Sequence, residues 1–117
     1  MGKTVLIVDD HPSFRASARR MLEADGYEVV GEAADGTSAI AAVGELEPDV
    51  VLLDIRLPDL DGFRVAERLA ANGTSPAIVL TSSRDRSDFG YEIDACPAHG
   101  FVAKSELSAE AITLLIR

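Results

Sequence analysis

Cysteine is nearly absent from this chain of 117 residues. Cys96 stands alone, so no internal disulfide can form, and a reducing compartment is expected. Cys96 then reads as a small buried hydrophobe. Positive charge is also scarce. Eleven Lys and Arg against twenty Asp and Glu leave a net charge of −9, with no basic footprint for nucleic acid. Direct nucleic-acid binding by this segment is therefore not expected, and any DNA binding would fall to a C-terminal domain outside it. No apolar run nears the roughly 20 residues of a membrane span. The N-terminus lacks a signal-peptide pattern. A cytoplasmic protein that does not engage a membrane is expected. No Gly-x-x-x-x-Gly-Lys nucleotide loop, repeat, linker or low-complexity stretch occurs. With 47% hydrophobic and 26% charged residues, the chain is expected to form one domain over residues 1–117.

Against these absences stand two short apolar runs that each end in acid. Val5-Leu6-Ile7-Val8 leads into Asp9-Asp10, and Val50-Val51-Leu52-Leu53 leads into Asp54. Such a run, bounded by polar residues, reads as a strand buried on both faces. In an open parallel sheet, ligands bind beyond the carboxyl ends of the strands. If the two runs are neighbouring parallel strands, Asp9, Asp10 and Asp54 converge there. At about 4 Å and an effective dielectric near 20, each like-charge pair costs on the order of 4 kcal/mol. The three must take up a proton or hold a cation. Oxygen ligands suit a hard cation such as Mg2+.

Strands and helices alternate along the chain. Strands are expected at about Lys3–Val8, Glu28–Gly31, Asp49–Leu53, Ala77–Leu80 and Gly100–Ala103. The first helix presents Phe14, Ala18, Met21 and Leu22 on one face, with Pro12 in its first turn and Asp25-Gly26 ending it. The second, opened by Asp35-Gly36-Thr37, turns Ala39, Ile40, Val43 and Leu46 inward. The third, capped by Asp61 and closed by Asn72-Gly73, buries Val65, Ala66 and Leu69. The fourth, within Asp85 to Asp94, has few apolar residues. The fifth, about Ser108–Ile116, is expected to bury Leu107, Ala111, Leu114 and Leu115. This alternation predicts a parallel sheet covered on both faces by right-handed crossovers.

Five pieces in order, Val8-Asp9-Asp10-His11-Pro12, Asp54-Ile55-Arg56-Leu57-Pro58, Asp61-Gly62, Leu80-Thr81-Ser82 and Gly100-Phe101-Val102-Ala103-Lys104, make the chain resemble the receiver domain of two-component response regulators. Asp9-Asp10-His11-Pro12 and the stretch from Val30 to Gly36 resemble the subgroup that often precedes a C-terminal helix-turn-helix. The resemblance implies a flavodoxin-like, doubly wound (βα)5 fold with strand order 2-1-3-4-5. It implies that Asp54 is the phosphoacceptor and that Mg2+ is held by Asp9, Asp10, Asp54 and the backbone carbonyl of Arg56, with Asp10 the more direct ligand. It implies that Thr81 bonds a phosphoryl oxygen, that Lys104 pairs with Asp54 and then with the phosphate, and that Thr81 and Phe101 act as switch residues. A sensor histidine kinase would be the donor, and a homodimer is a further expected assembly. The domain would be no enzyme on a separate substrate, although it promotes its own phosphoryl transfer and dephosphorylation.

The residues also allow other readings. Asp9 and Asp10 could cap the first helix, and Phe101 reads equally as plain core. A Mg2+-dependent hydrolase using Asp54 as nucleophile would want an acid two residues on, where Arg56 stands. A pseudo-receiver would not need the full set of Asp9, Asp10, Asp54, Thr81 and Lys104. A flavin-binding domain would want a Ser/Thr/Gly loop after the first strand. Two features depart from the receiver pattern. Ala95-Cys96-Pro97-Ala98 replaces a small-residue pair, and Ser105 follows Lys104 where many receivers place a proline. A cis bond to Ser105 would cost about 2.5–4 kcal/mol, so either a trans bond or site-held strain is expected.

Overall fold

Val5 to Val8 and Val50 to Leu53 have no exposed surface in the computed structural model, which describes residues 2–117. Both runs are central strands. The elements are β1 (Thr4–Val8), α1 (Pro12–Ala24), β2 (Glu28–Ala33), α2 (Gly36–Leu46), β3 (Val50–Asp54), α3 (Gly62–Ala71), β4 (Ala77–Ser82), α4 (Glu92–Ala95), β5 (Gly100–Ala103) and α5 (Ala109–Ile116). Turns of 3-10 helix lie at Arg86–Phe89 and Lys104–Glu106. The five strands form one parallel sheet in the order β2-β1-β3-β4-β5, as the resemblance implied.

Alternation along each strand sorts the core into two halves. Leu6, Val8, Val51 and Leu53 join Ala39 and Val43 of α2 and Val65, Ala66 and Leu69 of α3. Val5, Ile7, Val50 and Leu52 join Ala18 and Leu22 of α1 and Ala109 and Ile112 of α5. Each central strand therefore needs apolar side chains at every position, which is why its sequence shows no alternation of polarity. Asp35, Asp61 and Ser108 cap α2, α3 and α5, each accepting from a backbone amide three residues on.

Several boundaries differ from the sequence expectation. Strands β2, β3 and β4 run on through Ala33, Asp54 and Ser82, because pairing with a neighbour extends past the apolar run. The fifth helix is rotated from the expected phase. Ile112 is fully buried and Leu114 is 57% exposed, since the Ser108 cap sets the start and Ala109 and Ile112 then share the inner face. Leu46, expected inside, is 41% exposed at the end of α2. The fourth helix is one α turn preceded by a 3-10 turn, in keeping with its sparse apolar content. No cis peptide occurs among the described residues, so Lys104-Ser105 is trans.

Candidate functional site

Register brings the acids together. Val8 pairs with Leu53, so the next residues, Asp9 and Asp54, emerge side by side. Asp54 pairs with Thr81, Thr81 with Val102, and Ser82 with Ala103, which places Lys104 one step beyond the same edge. Asp9 and Thr81 are fully buried and Asp54 is 3% exposed. One ligand atom each from Asp9, Asp10, His11 and Asp54 lies within 4.8 Å of all the others.

Gly62 supports this corner from below. A Cβ there would lie 2.7 Å from the Asp54 carbonyl oxygen and 2.8 Å from Ile55 Cα, so only glycine admits the approach of α3 to the end of β3. The Gly62 amide donates to the Ile55 carbonyl at 2.7 Å.

Lys104 sits between two acids rather than on Asp54 alone. Its Nζ is 2.6 Å from Asp9 Oδ2 and 3.4 Å from Asp54 Oδ2. It also lies 4.2 Å from the centre of the Phe14 ring, a cation–π contact that helps hold the ammonium in place. Asp9 Oδ1 accepts from the His11 amide at 2.8 Å and lies 2.9 Å from His11 Nδ1. The Asp54 Oδ1 atom accepts from the Arg56 amide at 3.2 Å. Arg56 itself is exposed. The Thr81 hydroxyl donates to the Val102 carbonyl at 2.7 Å.

The two buried acids are shifted in opposite directions. Burial pushes the Asp9 carboxyl up, but Lys104 and the His11 amide and ring together hold it below the ordinary carboxylate value. Burial, followed by the Asp9 charge, pushes Asp54 up to about 6, against the pull of Lys104 and the Arg56 amide. The ammonium thus favours the ionised form of Asp9 and leaves Asp54 the more weakly compensated of the two.

Comparison with known proteins places the chain in a family. The response regulator receiver domain family matches residues 5–117. The chain belongs to the response regulator receiver family. The positive alginate biosynthesis regulatory protein of Pseudomonas aeruginosa is 41% identical over 113 residues, covering 92% of this chain and 45% of that protein. The DNA-binding transcriptional activator EvgA of Escherichia coli K12 is 34% identical over 101 residues, covering 86% of this chain and 50% of EvgA. The chain spans about half the length of the curated relatives it matches. A two-component response regulator of the LuxR family from Aurantimonas superposes with a TM-score of 0.89 at 30% identity, covering 99% of this chain and 86% of that one.

Receivers are phosphoacceptor switches of two-component systems and generally bind Mg2+ at an acidic pocket. The residues of this receiver fit such an ion. The Lys104 contact with Asp9 Oδ2 is an ion pair off the angle of a hydrogen bond, so that buried oxygen has no directional donor. The donor set is mainly carboxylate oxygen, which a hard cation prefers. The 4.8 Å spread only slightly exceeds the about 4.2 Å between opposite oxygens around Mg2+, twice its usual bond length. No helix among the described residues is long and apolar enough to cross a membrane.

Some residues around the receiver site escaped the sequence reading. Asp59 accepts from the Gly36 amide at 2.7 Å and from the Thr37 amide at 2.9 Å, tying the loop after β3 to the start of α2. The Thr37 hydroxyl and these two amides hold its carboxyl well below the ordinary range. Arg15 reaches back from α1 to the Asp9 carbonyl at 2.6 Å. Phe89 stands 6.0 Å from both Phe63 and Phe101, ring centre to ring centre. None of these contacts carried a local signal, because each joins side chains or peptides of separate elements.

Proposed function

We propose that Asp54 accepts a phosphoryl group from a sensor histidine kinase and that the change alters the face formed by β4, α4 and β5. One arrangement carries this reading. The Asp54 carboxylate is buried at a strand end, with the Arg56 amide on one oxygen and Lys104 Nζ facing the other. Asp9, Asp10, Asp54 and the Arg56 carbonyl would hold Mg2+, which would supply positive charge to the transferring group.

In the transfer, an Asp54 carboxylate oxygen forms the new bond to phosphorus while the phosphorus–nitrogen bond to the kinase histidine breaks. The departing imidazole keeps that electron pair. Lys104 brings positive charge to phosphoryl oxygens as its ties to the two acids loosen. The Thr81 hydroxyl gives up the Val102 carbonyl and donates to a phosphoryl oxygen instead. Loss of that tie frees the middle of β5, where Phe101 precedes Val102 and contacts Phe89 in the turn before α4. Phe101 is in this way the switch aromatic, and its movement passes to the surface through Phe89. Return to the resting state is by hydrolysis of the acyl phosphate, which the same pocket promotes.

EvgA is a DNA-binding transcriptional activator. By analogy, the output of this receiver is a homodimer or a DNA-binding domain joined to it, in the cytoplasm. The test is intact-mass measurement after incubation with acetyl phosphate and Mg2+. One phosphoryl mass is expected on the wild type and none on Asp54→Asn. Equal incorporation in both proteins would refute the assignment.

A further inference from the structure

We infer that Arg15, braced by Glu32, is a positioning residue for the metal-holding acids: it fixes the Asp9–Asp10 peptide and so the direction of the Asp10 carboxylate. The inference rests on the metal reading above.

The Asp9 amide donates to the Ala33 carbonyl at 3.0 Å, the last rung between the end of β1 and β2. Beyond that rung the sheet offers no donor to the Asp9 carbonyl. Arg15 Nη1 provides one at 2.6 Å from α1. The guanidinium is itself fixed, because its Nε donates to Glu32 Oε1 at 2.9 Å. The other carboxylate oxygen, Glu32 Oε2, accepts from Arg19 Nε at 2.9 Å. Glu32 lies on β2 opposite Ile7, two residues before Asp9, so the brace runs from the neighbouring strand to the strand-end peptide. The Arg15 side chain is only 17% exposed, which limits the rotamers open to it.

Asp9 and Asp10 depend on this brace unequally. The Asp9 carboxylate has its own anchors in His11 and Lys104. The Asp10 side chain is 38% exposed and meets only His11 Nδ1, at 3.1 Å, among the ionic contacts of the described residues. Its orientation is therefore set by the backbone, and the peptide that sets it is the one whose carbonyl Arg15 holds. A guanidinium suits this task because its rigid fork serves carbonyl and carboxylate together.

The sign of the effect separates positioning from charge. By Coulomb's law alone, removing the Arg15 cation would make the acidic corner more attractive to Mg2+. A positioning role predicts the reverse. Mg2+ alone is titrated into the full chain while the chemical shifts of the His11 and Arg56 amides are followed, with melting temperature measured in parallel. Arg15→Met should weaken Mg2+ binding by about tenfold, the usual effect of removing a group that orients a ligand. Arg15→Lys, which keeps one donor, should recover part of the loss. Arg19→Gln, which removes a like charge from the same network without touching Asp9, should bind Mg2+ as the wild type does. Unchanged or tighter binding by Arg15→Met would overturn the inference, as would an equal loss in Arg19→Gln. Should Arg15→Met fail to fold, Glu32→Gln, which loosens the guanidinium but leaves it in place, should still weaken binding, and an unchanged affinity there overturns the inference. A wild type that does not respond to Mg2+ removes the metal reading itself and the inference with it, whereas a responding wild type beside an unaffected Arg15→Met removes only the inference.

Discussion

Replacing Asp54 with Asn should make the metal-free protein more stable, although the residue is buried and hydrogen-bonded. The carboxyl is raised from 3.8 to about 6, first by burial and then by the Asp9 charge. Two units at 1.36 kcal/mol each set an upper bound of roughly 3 kcal/mol held against folding at neutral pH. The variant sacrifices little in return. Asn keeps an oxygen for the Arg56 amide, and Lys104 keeps its nearer partner, 2.6 Å away on Asp9. For a domain of this size about 2–3 kcal/mol corresponds to roughly 8–12 °C in Tm. The pH dependence follows from the sign of the shift. Because the folded value lies above the unfolded one, the ionised form is the unfavourable one. The wild-type handicap is complete well above pH 6 and fades as pH falls through 6 toward 3.8, below which Asp54 is protonated in both states. Asp9→Asn should act in the opposite direction. Its carboxyl is held low by Lys104 and His11, so it stabilises the fold above its unfolded pKa, and that contribution is lost as pH falls. Scanning calorimetry of the three proteins from pH 4 to 8 without metal tests both signs. Added Mg2+ should narrow the gap by stabilising only the wild type. An Asp54→Asn variant that melts at or below the wild type at pH 7.5, or keeps its full advantage at pH 4, would refute this reasoning.

Two further outcomes are expected. Ile112→Ala should cost about 2–5 kcal/mol in denaturant unfolding, as for a fully buried aliphatic side chain, whereas Leu114→Ala should stay within about 0.5 kcal/mol; comparable losses would contradict the helical phase. Thr81→Ala should still accept phosphate on Asp54 but lose the altered hydrogen exchange between Ser83 and Lys104 that phosphorylation produces in the wild type, and an unaltered response would reduce Thr81 to the end of a strand.

The central strands and the acids that end them were legible from the chain alone. Four consecutive apolar residues can only be satisfied with helices on both faces, and an acid directly after such a run lies at the sheet edge, so the meeting of Asp9, Asp10 and Asp54 follows from the chain itself. The Asp61 cap was equally local, since a cap is decided within one turn. What depended on packing between distant segments was not legible. The phase of α5 was one such feature, because Leu114 and Ile112 are equally apolar and only the Ser108 cap and the seat of Leu115 against Gly100 decide which faces inward. The division of Lys104 between Asp9 and Asp54 was another, as it turns on differences of less than 1 Å between strands brought together by the sheet. The Arg15–Glu32 brace and the Asp59 tie to α2 join residues 17 and more than 20 positions apart through side-chain hydrogen bonds. Hydropathy along a chain carries the burial of each segment, but it holds no record of which polar group will meet which across the fold. Those pairings exist only once the sheet has set its register.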